Sequence, residues 1–415
     1  MNSKVDAVEK DNMLQLTRLT RFNTTIWTVL IGTLLARTTY FMAWPFLIVI
    51  LYQDYNISAI SVGSMFAVSA IIGSVTGLYS GYLSDKFGRK WVMVLGCIIA
   101  AISYSGIGFA HSITQFAILI AGCGLMRPMI EAPAKAVISD NLDDLKDREL
   151  ALNIRYFIIN IGGAIGPLIG ITLALEHPQI LFWITGVTYV VFAVLLLIAF
   201  GRHPEKIQQH DGDVISLKQT IKIISKDSVF IKLLLANILM MFVYGQYESS
   251  IPQVIVRSGI EDAAKFISAL VLVNTCTIIL FQFPMLKLLQ NVRLYQRTKI
   301  GMILMGVSQI GFLLVPIDWP VGWLIACFVL SVGEVIAFPT LNVQIDQIAP
   351  AHLRGSYFGA ASIYSLGFAM APFIGGVIIQ LLGASQLFIF CFGISILMIW
   401  LYGIAEKEII LRQNS

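Results

Sequence analysis

Apolar residues along the chain fall into twelve long runs separated by short polar links. The runs are read as helices over 26–52, 58–83, 91–110, 113–139, 150–174, 178–200, 229–255, 264–289, 299–317, 320–346, 356–382 and 385–405. Each is long enough to cross a bilayer, which takes about 20 apolar residues in a helix. A membrane barrel would show alternating segments of about ten residues instead. The pattern therefore predicts an all-α membrane protein of twelve transmembrane helices in two six-helix bundles. The organisation read from the pattern is a polar tail (1–22), a first bundle (23–200), a linker (201–228), a second bundle (229–405) and a polar tail (406–415).

Composition agrees. Of 415 residues, 57% are hydrophobic and 13% charged, and the mean hydropathy is +0.81. Soluble domains are about half apolar and about a quarter charged, so lipid is the expected solvent. The polar start and the length of the first run argue against a cleaved signal peptide. The five cysteines all lie within apolar runs, without metal-ligand spacing, and read as small buried hydrophobes.

The placement of charge orients the chain. Basic residues collect in the N-terminal tail (Lys4, Lys10, Arg18, Arg21). They recur in every second link: Lys86, Arg89 and Lys90; Lys146 and Arg148; Lys206, Lys218, Lys222 and Lys226; Arg293, Arg297 and Lys299. Arg354, Lys407 and Arg412 keep the same phase, whereas the opposite links hold only Arg257 and Lys265. The positive-inside rule then puts both termini in the cytoplasm of a cell-membrane protein. In the linker, Val214, Leu217, Ile221 and Ile224 lie opposite the three lysines, the pattern of a basic amphipathic helix on the membrane surface. The bases form no stripe of the kind that binds nucleic acid.

The halves repeat. Pro133, Asp140 and Arg148 match Pro339, Asp346 and Arg354 at a common offset of 206. Gly166-Pro167-x-x-Gly170 is echoed by Ala371-Pro372-x-x-Gly375. Repeated bundles with a site between them near the midplane are a transporter architecture.

Three sets of residues carry candidate chemistry. The link Gly81-Tyr-Leu-Ser-Asp85-Lys86-Phe-Gly88-Arg89-Lys90 has a glycine turn flanked by an acid and bases. In the fifth run, Gly162, Gly166, Pro167 and Gly170 place small residues at four-residue spacing, which lets helices approach closely, and the proline allows a kink. The third set is charge inside the bilayer, which is costly and so functional by default. It comprises Arg37 in the first run, Arg127, Glu131 and Lys135 in the fourth, Glu248 in the seventh and Glu334 in the tenth. The fourth-run triad shares one helix face. It either compensates itself internally or presents bases to cargo.

The first link motif resembles the cytoplasmic-loop signature of the major facilitator superfamily. The glycine motif, lacking its last glycine at Ile171, is similar to the signature of the drug:proton antiporter branch. The resemblance implies a conformational latch built from Gly81, Asp85, Gly88, Arg89, Lys90 and Asp140. The matching link of the second half, Gln290 to Lys299, lacks the pattern and is expected to latch weakly. Asp346 is expected in a loop network. Glu334 and Glu248 stand where proton-coupled multidrug exporters carry acids. Desolvation favours a neutral carboxyl, which suits such acids to carrying protons.

The expected substrate cavity includes Arg37, Arg127, Glu131, Lys135, Tyr40, Trp44, Tyr244 and Tyr247, with Phe41 and Phe338 nearby. Arg155 stands where some of those exporters have an acid. The reading is proton-coupled export of amphiphilic small molecules or drugs by a monomer. The alternative cargo is an anionic or zwitterionic metabolite, such as a siderophore, peptide or organic acid, in either direction. No nucleophile–base pair, metal cluster, nucleotide-binding loop or filter motif is found. The expectation is therefore a transporter that is not an enzyme, a pump or a channel and needs no cofactor or metal.

Overall fold

A computed structural model describes residues 14–53, 55, 59–173, 178–203 and 216–414. Lys4, Lys10, Lys206 and Val214, used above, lie outside these. The described residues form helices joined by short links, without strands. A single turn, α1 (Leu16–Leu19), precedes six helices of the first half: α2 (Thr24–Gln53), α3 (Ala59–Phe87), α4 (Arg89–Ile107), α5 (Ile113–Asp140), α6 (Leu145–Leu173) and α7 (Gln179–Arg202). The short α8 (Leu217–Lys226) leads to α9 (Ser228–Arg257), α10 (Ala263–Leu289), α11 (Leu294–Leu314) and α12 (Pro320–Ile348). The chain ends with α13 (Arg354–Ala361), α14 (Ser365–Leu381) and α15 (Ala384–Asn414).

Eleven of the expected spans are long and apolar enough to cross a membrane, with α13 and α14 counted as one. The twelfth, α11, is a 21-residue helix that opens on Gln296, Arg297 and Lys299. It packs between α12 and α15.

Several helices run past their expected apolar limits because their polar ends are paired. Helix α11 starts at Leu294 rather than 299: Arg297 pairs with Glu149, and Lys299 meets Glu406 at 2.5 Å. Helix α15 continues nine residues beyond 405, with Glu408 on Lys232 and Arg412 on Asp227. Helix α6 begins at Leu145, and its buried Asp147 takes Arg18 and Arg21 from the N-terminal segment.

The expected span 356–382 is broken by a 3-10 turn at Ser362–Tyr364. There Ser362 Oγ donates to Gly359 O (2.6 Å) and Ser365 Oγ to Ser362 O (2.7 Å). Side-chain bonds of this kind compete with the helical ladder. Helix α8 is capped by Ser216 and Gln219 in a reciprocal box. Its packed face is Thr220 and Ile224, which leaves Ile221 exposed among the lysines.

One apolar cluster is built mainly from α2, α4, α5 and α7, and another from α9, α11, α12 and α15. Large apolar side chains such as Ile102, Val187, Leu272 and Trp400 remain exposed on the outside. A soluble monomer does not present a belt of this kind, whereas lipid accommodates it.

The halves meet at the end of the molecule that carries both described termini. There α13 lies against α3 and α5. Gly77 and Gly81 on α3 face Gly355 and Gly359 on α13. A Cβ at Gly81 would sit 2.1 Å from Gly355 O, and one at Gly359 2.2 Å from Gly77 O. Asp85 then reaches the start of α13. It accepts from the Gly355 and Ser356 amides (2.9 and 2.7 Å) and from Ser356 Oγ (2.5 Å). Arg89 holds Asp85 and also Asp140 (3.2 Å). Gly88, at φ 94°, supplies the left-handed turn that starts α4. Lys90 lies over the Trp91 ring.

Arg354 pairs with Asp140 (2.9 Å) and with Asp346 (3.4 Å), and Arg148 pairs with Asp346 (3.4 Å). The second half also contributes to the closure, contrary to the expectation of a weak latch. Arg297 reaches across to Glu149, and Gln282 Nε2 donates to Asn153 Oδ1 (3.0 Å). The residue types differ from the first-half signature, but the junction is made.

Overpacking a tight contact costs about 1–3 kcal/mol, and about 1.4 kcal/mol is tenfold in an equilibrium. Gly81→Val is therefore expected to speed amide hydrogen exchange across residues 355–361 by roughly tenfold. Gly393→Ala, where a Cβ meets nothing within 4 Å, should leave that exchange unchanged. Equal protection in both variants would mean the glycine contact does not hold the junction.

Candidate functional site

Away from the junction the bundles part around a cleft of about 360 Å³. The first bundle contributes Phe41, Asn160 and Gly163 to it, and the second contributes Tyr244, Tyr247, Glu248 and Asn274. Aromatic rings stack along the second-bundle wall: Tyr244 meets Phe338 edge-on at 4.9 Å and lies 5.9 Å from Tyr247.

Glu334 on α12 is buried at 3% exposure. Its Oε1 accepts from Tyr156 Oη (2.9 Å) on α6, and its Oε2 from Asn274 Nδ2 (2.8 Å) on α10. Asn274 also donates to Ser331 Oγ (2.9 Å), which fixes its amide. Glu248 is exposed on the cleft wall. Neither acid has a basic partner among the described residues.

Of the two readings left open for the α5 triad, self-pairing does not hold in the structure. Glu131 takes Arg37 from α2 and Arg155 from α6, the latter at 2.5 Å. It pairs with neither Arg127 nor Lys135. The cause lies in the glycines of α6. A Cβ at Gly162 would stand 2.9 Å from Thr38 N, at Gly166 2.5 Å from Thr38 O, and at Gly170 2.5 Å from Met42 O. This close approach of α6 to α2 carries Arg155 and Arg37 onto one carboxylate, and a guanidinium suits such pairing. Pro167 lies within α6.

Arg127 is exposed and has no polar partner among the described residues. Lys135 is 7% exposed, with Nζ 5.8 Å from the Phe358 ring centre and 6.0 Å from that of Tyr364.

Two expected cavity aromatics sit elsewhere. Tyr40 stacks on Trp44 at 5.3 Å, and Trp44 leans on Phe66, so both pack within the first bundle. Tyr244 and Tyr247 do line the cleft. Sequence reasoning missed Tyr156, Asn274 and Tyr364. The available signal was a polar group within an apolar run; its partner, on the other bundle or another helix, was not visible. No group of three or more metal-ligating side chains occurs among the described residues. Four of the five cysteines are buried as expected, but Cys276 is exposed.

Residues 29–365 match the family model of the Major Facilitator Superfamily. The chain belongs to that superfamily. It is therefore a multi-pass membrane transporter and not an enzyme. It is 29% identical over 361 residues to the uncharacterised MFS-type transporter YqjV of Bacillus subtilis (strain 168), covering 87% of each chain. It is 24% identical over 375 residues to a Na(+), Li(+), K(+)/H(+) antiporter of Planococcus maritimus, covering 83% of this chain and 87% of that one. Among solved structures, the human organic anion transporter MFSD10 (TETRAN) superposes with a TM-score of 0.75 at 15% identity, over 91% of this chain and 99% of that one. That likeness shows the superfamily fold.

Breaking a buried ion pair by removing one partner costs about 3–5 kcal/mol. In this superfamily member, Glu131→Gln leaves two arginines facing each other and should lower the thermal unfolding midpoint, followed by tryptophan fluorescence. Arg127→Gln, which breaks no pair among the described residues, should leave the midpoint unchanged. An unaltered midpoint in Glu131→Gln would show that the carboxylate does not hold the two helices.

Proposed function

We propose that this transporter is a secondary active carrier that exchanges protons for amphiphilic small molecules by alternating access. The observation that carries the reading is Glu334: a carboxylate buried between bundles, without a basic partner among the described residues, held by a hydroxyl from the opposite bundle. Hydrogen bonds to an ionised carboxylate are roughly twice as strong as neutral ones. Protonating Glu334 weakens the Tyr156 tether and eases movement of one bundle relative to the other. Glu248, exposed in the cleft, offers a route by which protons reach Glu334. Asp85, Arg89 and Asp140, with α13, form the latch that closes one side.

The basic residues of the latch face support a cytoplasmic location for that face and both termini, in a cell membrane. The closed end is then the inner one, and the cleft faces outward. The likeness to an antiporter that exchanges alkali cations for protons supports proton antiport. The surplus of bases in the first bundle, together with the likeness to an organic anion transporter, favours an anionic or zwitterionic cargo over a lipophilic cation.

The test is a pH step across proteoliposomes offered a panel of amphiphilic carboxylates, zwitterions and cations. The step should drive accumulation of at least one probe, and a proton ionophore should collapse it. Losing a bond to a charged group costs about 1.5–3 kcal/mol, so Tyr156→Phe should uncouple transport from the gradient. Glu334→Gln should abolish the response to the pH step. Accumulation that survives the ionophore or Glu334→Gln would remove the proton role.

A further inference from the structure

Arg127, Glu131 and Lys135 follow at four-residue intervals on α5 and share a face. Glu131 is occupied by Arg37 and Arg155. The flanking bases therefore have no acid among the described residues, and four cations surround one carboxylate. Arg127 lies close enough to Arg37 and Arg155 for their charges to interact. An uncompensated charge inside a membrane is costly and marks a ligand path.

The two flanking bases differ in access. Arg127 is open in this state. Lys135, about 12 Å further along the helix, is sealed. Its cover comes from the opposite bundle: Phe358 on α13 and Tyr364 in the 3-10 turn. Phe358 is two residues from Ser356, which Asp85 holds. Opening the junction would lift both rings off Lys135. The rings stabilise the buried ammonium by cation–π attraction, which makes them an exchangeable substitute for an anion.

Resting on the alternating-access reading, we propose that α5 carries a two-station anion path for the cargo. The cargo is an organic anion with an apolar body, such as an aromatic carboxylate or sulfonate. Its anionic group meets Arg127 while the junction is closed, and Lys135 once α13 withdraws. Tyr364 and Phe358 act as the shutter between the stations. Glu131 keeps Arg37 and Arg155 fixed, so they frame the path without trapping the anion.

The test uses the full chain in nanodiscs and three probes that share one apolar body: 2-naphthoate, 2-naphthamide and a 2-naphthylmethyl trimethylammonium. Naphthoate should bind at least about tenfold more tightly than the amide, the scale of one charge-assisted contact. Arg127→Gln should weaken naphthoate by roughly tenfold, and Arg127→Lys should retain most of the affinity. Lys135→Gln should matter little in the junction-closed protein. In the Gly81→Val background, where the junction is loosened, the order of the two Gln effects should reverse.

Monodisperse elution of each variant separates lost affinity from lost folding. Naphthoate binding no tighter than the amide overturns the proposal, as does preference for the cation. Equal effects of Lys135→Gln in both backgrounds overturn the two-station arrangement. If naphthoate selectivity holds while a pH step drives nothing, the proton reading fails and the anion path stands.

Discussion

One carboxylate joins the two halves of this molecule. Asp85, at the end of α3, accepts the amides of Gly355 and Ser356 and so caps a helix that belongs to the other half. The start of a helix offers unpaired N–H groups and a partial positive charge. An acid from the same segment usually satisfies them; here it comes from across the interface. Around it the glycines of α3 and α13 touch, Arg354 lies beside Asp140, and Phe358 covers Lys135. The cleft lined by Glu248 and Tyr247 is what remains open at the other end. A cap is worth about 1 kcal/mol and a hydrogen bond to a charged group about 1.5–3 kcal/mol. A junction built of such contacts is held by several modest interactions rather than one large one.

The internal repeat explains how the junction is closed on both sides of its pseudo-symmetry axis. Asp140 with Arg354 and Arg148 with Asp346 are one contact made twice, each half lending its arginine to the other's acid. At the next position the chemistry is exchanged. In one half the link supplies the acid, Asp85, and α13 supplies amide donors. In the other half Arg297, at the start of α11, supplies the donor and α6 supplies the acid, Glu149. Glu149 stands 206 positions before Gly355, the offset of the repeat. A search for the same residue types finds only a degenerate link there. A search for complementary roles finds the second half of the closure.

Most of the helices were legible because lipid imposes a single rule, that backbone polar groups be satisfied within the helix over a long apolar run. The ends were less legible. Arg297, Lys299, Asp147 and Glu406 read as loop residues by polarity, yet they are helical because each is matched to an opposite charge on another helix. The break at Ser362–Tyr364 was hidden among small residues that fit a helix equally well. Candidate charges were identifiable one by one from the cost of placing them in a membrane, but their partners were not. Glu131 looked like the centre of a stripe along α5. The partners that win it lie on α2 and α6, brought there by the glycines at 162, 166 and 170.

Two contacts cross the interface deeper in the molecule, and they bear opposite charges. Tyr156 of the first half donates to Glu334 of the second. Phe358 and Tyr364 of the second half cover Lys135 of the first. Neither Glu334 nor Lys135 has a counter-ion among the described residues; Glu334 is held by Asn274 of its own half and Tyr156 of the other, and Lys135 is covered by rings of the other half. On the proposed function, a proton on Glu334 loosens one contact, and on the proposed anion path an anion beside Lys135 replaces the other. In that reading both ligands act on the same bundle-to-bundle equilibrium without touching. Linkage then requires that each change the other's affinity by the same factor, so the sign of coupling follows from which bundle arrangement each ligand favours rather than from any bond between them.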